Sequence, residues 1–233
     1  MKLNETQIQY LFDFTRQHYV EYYDLQSELV DHLANAIEQA ISENPNLSFE
    51  QALSAEFKKF GIFGFMDVVE KRQGALTRKY HKMVWAHFME FFRLPKIVLS
   101  LGAVVFGFYF LKSITYKEAV FASVFAVITF GLLLKMIIEV TLRRKKAEKK
   151  EKRWLFEEIM YGYGSVTSFF ILPLQLIDLF YRKAVFLSDI AMWVSSFLIV
   201  AYAIVCYVMI YVIPSKAKEY LGKMYPEYLM QEV

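Results

Sequence analysis

The chain has 233 residues, 56% of them hydrophobic and 22% charged, with a formal net charge of +3. An apolar average of that size does not separate a soluble domain from a membrane protein, but a balance of +3 makes any strongly basic character local. The single cysteine, Cys206, excludes an internal disulfide and a cysteine-built metal site, and it reads as a small apolar core residue.

Distribution carries the information. Charge concentrates in residues 1–96, 143–158 and 214–233, and the stretches between are nearly free of it. The N-terminus has no apolar h-region, so no cleaved signal peptide is expected and the first ninety residues are expected to stay cytoplasmic.

Residues 1–74 read as a small helical domain. Asn4 with Gln7 forms a capping box, and Ile8, Leu11, Phe12, Thr15, Tyr19 and Tyr22 then follow at helical spacing. A second helix over 24–43 carries the stripe Leu25, Leu29, Leu33, Ile37 and Ala40, and Asn44-Pro45-Asn46 stops it. Ser48 with Gln51 makes another capping box before Phe49, Leu53, Phe57 and Phe60, with Gly61 placed as the residue after the helix. A fourth helix is expected from about Phe63.

Opposite the leucine stripe, Glu28, Asp31, His32 and Asn35 share one polar face of the second helix. Glu28 and His32 have the i, i+4 spacing of metal ligands, but no further ligand converges on them, so no metal and no cofactor are expected. The face reads as solvated or capping, or as a contact surface for a protein partner.

Residues 75–93 read as an amphipathic juxtamembrane helix. Arg78, Lys79 and Lys82, then Trp85, are candidates for lipid contact. Basic-plus-aromatic sequence also suits nucleic acid, but so close to a membrane entry lipid is the stronger reading, and no direct nucleic-acid binding is expected.

Residues 94–213 hold four apolar blocks, at about 94–111, 119–142, 159–180 and 190–213. Each is long enough to cross a bilayer once as a helix, the first with help from Phe91, Phe92 and a snorkelling Lys96. Within the blocks, Lys135 and Glu139 pair at i, i+4 near the cytoplasmic end, and Asp178 with Arg182 reads as a boundary ion pair. Gly162, Gly164, Ser165 and Ser168, with Thr167, offer a small-residue face for helix packing. Pro173, Gln175 and Asp178 interrupt the third block, and no transport pathway or inverted repeat is visible.

A basic loop at 143–158 separates the second and third blocks. Arg143, Arg144, Lys145 and Lys146 are further candidates for lipid contact, although the run also suits a ribosome- or nucleic-acid-facing patch. Eight basic residues in 143–153, with Arg93, Lys96, Lys216 and Lys218, fall on one side. Lys112, Lys117, Arg182 and Lys183 fall on the other. That bias predicts an inner-membrane protein with both termini and the central loop in the cytoplasm, and 214–233 as a cytoplasmic tail.

The sequence 23–33, Tyr-Asp-Leu-Gln-Ser-Glu-Leu-Val-Asp-His-Leu, together with Ser48-Phe49-Glu50-Gln51-Ala52-Leu53 and Phe57-Lys58-Lys59-Phe60-Gly61, resembles the helical signalling domain associated with helix-turn-helix regulators. The resemblance covers about residues 4–73. It implies a cytoplasmic signalling or interaction module ahead of several spans, often alongside PadR-type transcription regulators, and supplies no catalytic residues. No winged-helix segment is present in this chain.

The sequence therefore predicts an all-α protein, a small cytoplasmic helical domain followed by a four-helix transmembrane region. It is expected to be non-catalytic, to touch membrane lipid, and to bind a protein partner through the head or the spans, alone or as a homo- or hetero-oligomer. The alternative is an accessory or structural subunit of a larger inner-membrane complex, such as a transport or protein-export machine. An enzyme is not expected, because no nucleophile–base arrangement, phosphate-cradling glycine loop or zinc spacing occurs.

Overall fold

The computed structural model describes residues 2–147, 152–162 and 188–230. Among the described residues every regular element is helical and no strand occurs. In chain order the helices are α1 (Glu5–Gln17), α2 (Tyr23–Glu43), α3 (Phe49–Lys58), α4 (Met66–Glu90), α5 (Lys96–Ser113), α6 (Lys117–Ala147), α7 (Leu155–Tyr161), α8 (Asp189–Tyr207), α9 (Ala217–Met224) and α10 (Pro226–Met230). The α8 helix continues through a π-helical turn, Val208–Val212, and a short turn, Ile213–Ser215. Pro214 withdraws an N–H from the helix ladder, and the wider turn just before it accommodates that loss.

The chain divides into two compact units. One comprises Met1–Leu76 with Lys146–Glu158, and the other Thr77–Lys145 with Ile159–Val233.

In the first unit both capping boxes are formed. Asn4 Oδ1 accepts from Gln7 N at 2.8 Å while Asn4 N donates to Gln7 Oε1 at 2.9 Å, and Ser48 and Gln51 repeat the exchange at 3.2 and 3.1 Å. These bonds satisfy amide groups that a helix start otherwise leaves without partners. Leu25, Leu29, Leu33 and Ile37 are buried as one stripe of α2, against Leu11 and Thr15 of α1 and Ala52 and Leu53 of α3. Tyr19 departs from the expected α1 stripe. The helix ends at Gln17, and Tyr19 turns outward at φ 65°, 80% exposed. The fourth helix also begins later than expected, at Met66, because residues 62–65 form turns, with Gly61 and Gly64 at positive φ.

The segment between the second and third apolar blocks is part of this core. Trp154, Leu155 and Phe156 are buried, and Trp154 packs edge-on against Tyr23 at 5.3 Å. What reads in sequence as a basic loop over 143–158 is thus divided: α6 runs on as helix to Ala147, and residues 152–158 fold into the unit built by α1 and α2.

Among its described residues the second unit contains three helices long and apolar enough to cross a membrane: Lys96–Ser113, Lys117–Leu142 and Asp189–Ser215. The chain is thus a multi-pass membrane protein by length and composition of its helices. Of the predicted third block only residues 159–162 are described, and the rest, with Asp178 and Arg182, lies outside the described residues.

Helices α5 and α8 are antiparallel: Lys112 Nζ meets Asp189 Oδ2 at 3.0 Å, Phe108 stacks on Trp193 at 4.2 Å, and Phe91 meets Tyr207 at 6.0 Å. They approach closely at Gly107, where a Cβ would run into Ser196 Oγ, while that hydroxyl donates to Val104 O at 2.6 Å. Helices α6 and α8 are parallel: Phe125 and Thr129 meet Tyr202, and Lys135 lies over Tyr211 further along both.

If the 154–156 run is core of the first unit, Phe156→Ala weakens that unit by about 3–5 kcal/mol, the usual cost of emptying a buried phenylalanine site. Hydrogen exchange of the α1 and α2 amides in the full chain is expected to accelerate accordingly, and unchanged exchange there would exclude 154–156 from the core.

Candidate functional site

Two surfaces of the first unit carry chemistry. The first is the polar face of α2. Glu28, Asp31, His32 and Asn35 are all exposed. Glu28 Oε2 lies 3.4 Å from Arg72 of α4, and the His32 ring stands edge-on to Phe60 at 6.2 Å. The face therefore borders the end of α3 and the start of α4. Among the described residues no three His, Cys, Asp or Glu side chains converge as a metal site.

The second is the seat of α7 on α2, which sequence reasoning missed. Tyr23 N donates to Arg153 O at 2.7 Å, and Leu155 N donates to Asp24 Oδ1 at 3.1 Å. Asp24 is buried and acts as an N-terminal cap supplied from another helix, taking an amide that opens α7. Lys152 Nζ sits 3.8 Å above the Tyr23 ring. Arg153 reaches Glu21 at 2.7 Å and Glu158 at 3.0 Å, with its guanidinium 5.4 Å from the Tyr22 ring centre.

The electrostatics follow from that crowding. Burial, then the Glu158 carboxylate, pushes the Tyr22 phenol up to about 12. Burial works to lower the Arg153 pKa, but the hydrogen bond and charge of Glu158 outweigh it and hold the guanidinium more firmly protonated. Beside this seat lies a cleft of about 550 Å³, lined in part by Arg16, Gln26, Lys152 and Arg153. Gln26 is already engaged, donating to Val20 O. The sequence signal for the seat is the apolar run Trp154-Leu155-Phe156, set directly after a charged stretch.

In the second unit, the later half of α4 shows two faces. Tyr80, Val84 and Phe88 are buried, and His87 bridges to Tyr220 of α9 at 2.7 Å and to Glu90 at 2.8 Å. Burial alone would raise the Glu90 carboxyl, but His87 and Lys96 hold it below its ordinary value. On the outer face Arg78, Lys82, Trp85 and Met89 are exposed at i, i+4, i+7 and i+11, one stripe that is basic and then apolar. Lys79, also exposed, reaches Met224 Sδ at 3.2 Å. Arg143, Arg144, Lys145 and Lys146 lie on the last turns of α6, where the helix is described and the side chains are not.

Lys135 and Glu139 of α6 pair at 3.0 Å, the spacing the sequence suggests. A groove of about 410 Å³ runs beside Lys135, lined by Gly131, Ile138, Cys206 and Tyr211 among others. Gly162 lies in the turn after α7, and Gly164, Ser165 and Ser168 lie outside the described residues. No protein-family model, curated protein or solved structure matches the chain.

The cap from Asp24 and the ion pairs of Arg153 differ in burial, so they differ in worth. Asp24→Ala costs about 0.5–2 kcal/mol, as for a lost helix cap. Glu21→Ala costs less than about 1 kcal/mol, as for an exposed pair. Amide exchange across 155–159 is the readout, and equal effects of the two changes would refute this ranking.

Proposed function

We propose that this chain is a multi-pass inner-membrane protein whose cytoplasmic helical head binds a protein partner in signalling or regulation, without catalysis. The observation that carries the reading is the seat of residues 152–158 in the head. The linker after α6 belongs to the core of the same unit that displays Glu28, Asp31 and His32. A head built partly from the linker between spans is covalently bound to them on both sides of that linker and through α4. Rearrangement of the spans therefore acts on the head directly, a coupling that a head on a plain tether lacks. The resemblance of residues 4–73 to the helical signalling domain associated with helix-turn-helix regulators agrees with this use.

The proposed topology has four spans. The parallel course of α6 and α8 supports it. Consecutive spans that run the same way need a return crossing between them, and the 159–180 block has the length and composition for one. Both termini and the central linker then lie in the cytoplasm, on the side favoured by lysine and arginine. The exposed Arg78, Lys82 and Trp85 stripe would lie against lipid headgroups, as would the basic end of α6.

Orientation is tested with single cysteines in a Cys206→Ala background and an impermeant maleimide. Tyr116→Cys, in the exposed turn between α5 and α6, is expected to label from outside intact cells, and Asn46→Cys only after the membrane is opened. The reverse pattern would overturn the orientation.

Function is tested by affinity purification from native membranes in mild detergent, with and without Glu28→Ala, Asp31→Ala and His32→Ala together. A soluble regulator that co-purifies with the native chain is expected to be lost from the variant, whose fold should persist because all three side chains are exposed. Membrane subunits retained by both would instead favour the accessory-subunit reading.

A further inference from the structure

Ile62 and Phe63, at the tip of the turn between α3 and α4, have no part in the core, and with Met66 they form a cluster of exposed large apolar side chains. Ile62 is 99% exposed, Phe63 71% and Met66 50%. Their exposure is built in. Gly61 and Gly64 adopt φ +77° and +55°, conformations that side-chain-bearing residues rarely take, and a Cβ on Gly64 would press on the Phe57 ring at 3.1 Å. Phe65 turns inward, 1% exposed, and meets Phe57 and Phe60 at 5.0 and 4.9 Å. This aromatic platform holds the tip outward, so Ile62 and Phe63 cannot fold back without undoing it.

We propose that the Ile62–Phe63 tip inserts into the interfacial layer of an anionic lipid leaflet, the cytoplasmic one in the orientation above. Lysines that flank the apolar tip, together with the tether to the spans, favour this occupant. Lys58 and Lys59 end α3 beside it, and Lys71 follows one turn into α4; all three are exposed. Lys59 also pairs with Glu56, and Lys58 is free to face phosphate. Of the nearby acids, Asp67 lies in the first turn of α4, where the positive end of the helix stabilises a carboxylate, and Glu70 follows in the next turn. The head is also tethered to membrane spans, so a leaflet is presented to it at an effective concentration that no diffusing partner matches. Apolar tips flanked by lysine are stabilised at such a boundary, because the side chains leave water while the ammonium groups stay among headgroups.

The test uses the full chain in nanodiscs, with Cys206→Ala and an environment-sensitive fluorophore on Phe63→Cys. A second reporter is placed on Ile62→Cys, and a control on the exposed Asn46→Cys. In discs of phosphatidylcholine with phosphatidylglycerol, nitroxide-labelled lipid is expected to quench both tip reporters several-fold more than the control, with a blue-shifted emission. Pure phosphatidylcholine, or Lys58→Glu with Lys59→Glu, is expected to reduce that quenching. Tip reporters quenched no more than the control in anionic discs overturn the proposal. A blue shift without quenching by lipid overturns it as well, since a second copy or a protein would then cover the tip.

Discussion

The first unit depends on a buried contact that the chain makes late. Trp154, Leu155 and Phe156 reach the core of α1 and α2, held by the Asp24 cap and by the backbone bond from Tyr23 N to Arg153 O. Burying three large apolar side chains is the dominant favourable term in such a contact. The hydrogen bonds matter differently: they place the start of α7 and prevent its amide and the Asp24 carboxylate from being buried without partners. Because more than a hundred residues separate the two sides, closing this contact carries a loop cost that local helix formation does not. The α1–α3 scaffold, with its self-contained caps, is local; its completion is not.

That division gives the proposed signalling role a physical basis. A linker that merely crosses the cytoplasmic face transmits nothing to a neighbouring domain. A linker whose side chains are core residues has a coupling free energy with that domain by construction, since moving it exposes apolar surface. The polar face of α2 and the seat of α7 lie on one helix, with Asp24 at its first turn and Glu28 and Asp31 one and two turns on. Any shift of the seat is thus felt at the start of the helix that carries the partner-binding candidates. In the second unit the spans have their own fixed points: the Gly107–Ser196 approach, the Phe108–Trp193 stack and the Thr129–Tyr202 hydrogen bond.

The local parts of this structure are legible in sequence. Both capping boxes, the leucine stripe of α2 and the Lys135–Glu139 pair need only spacings of three or four residues, and each appears as read. The long-range parts are not legible. Nothing local distinguishes Trp154-Leu155-Phe156 in a basic stretch from interfacial anchors, because partner and seat are far apart in the chain. Tyr19 fits the α1 period and is still excluded from the core, since the helix stops two residues earlier. Of the candidate site, the residues of the α2 face are legible from periodicity, and the structure adds what they border. Gly107 packs against Ser196 of another helix, a pairing that no spacing within its own block reveals.

The seat also changes how the basic run bears on orientation. Counted in sequence, the eight basic residues of 143–153 act alike as topology determinants. In the structure Lys152 and Arg153 are committed to Tyr23, Glu21 and Glu158 of the head. Their contribution to the proposed orientation is therefore no longer a matter of charge alone. Placing them on the far side of the membrane would strip Trp154, Leu155 and Phe156 from the core they complete. In the proposed orientation the remaining arginines and lysines of 143–150 would act through the membrane potential and the anionic leaflet, an effect that weakens with salt. That of the packed residues does not. The proposed orientation thus rests on two independent forces, one electrostatic and one hydrophobic, and both would hold the central linker on the side of the head.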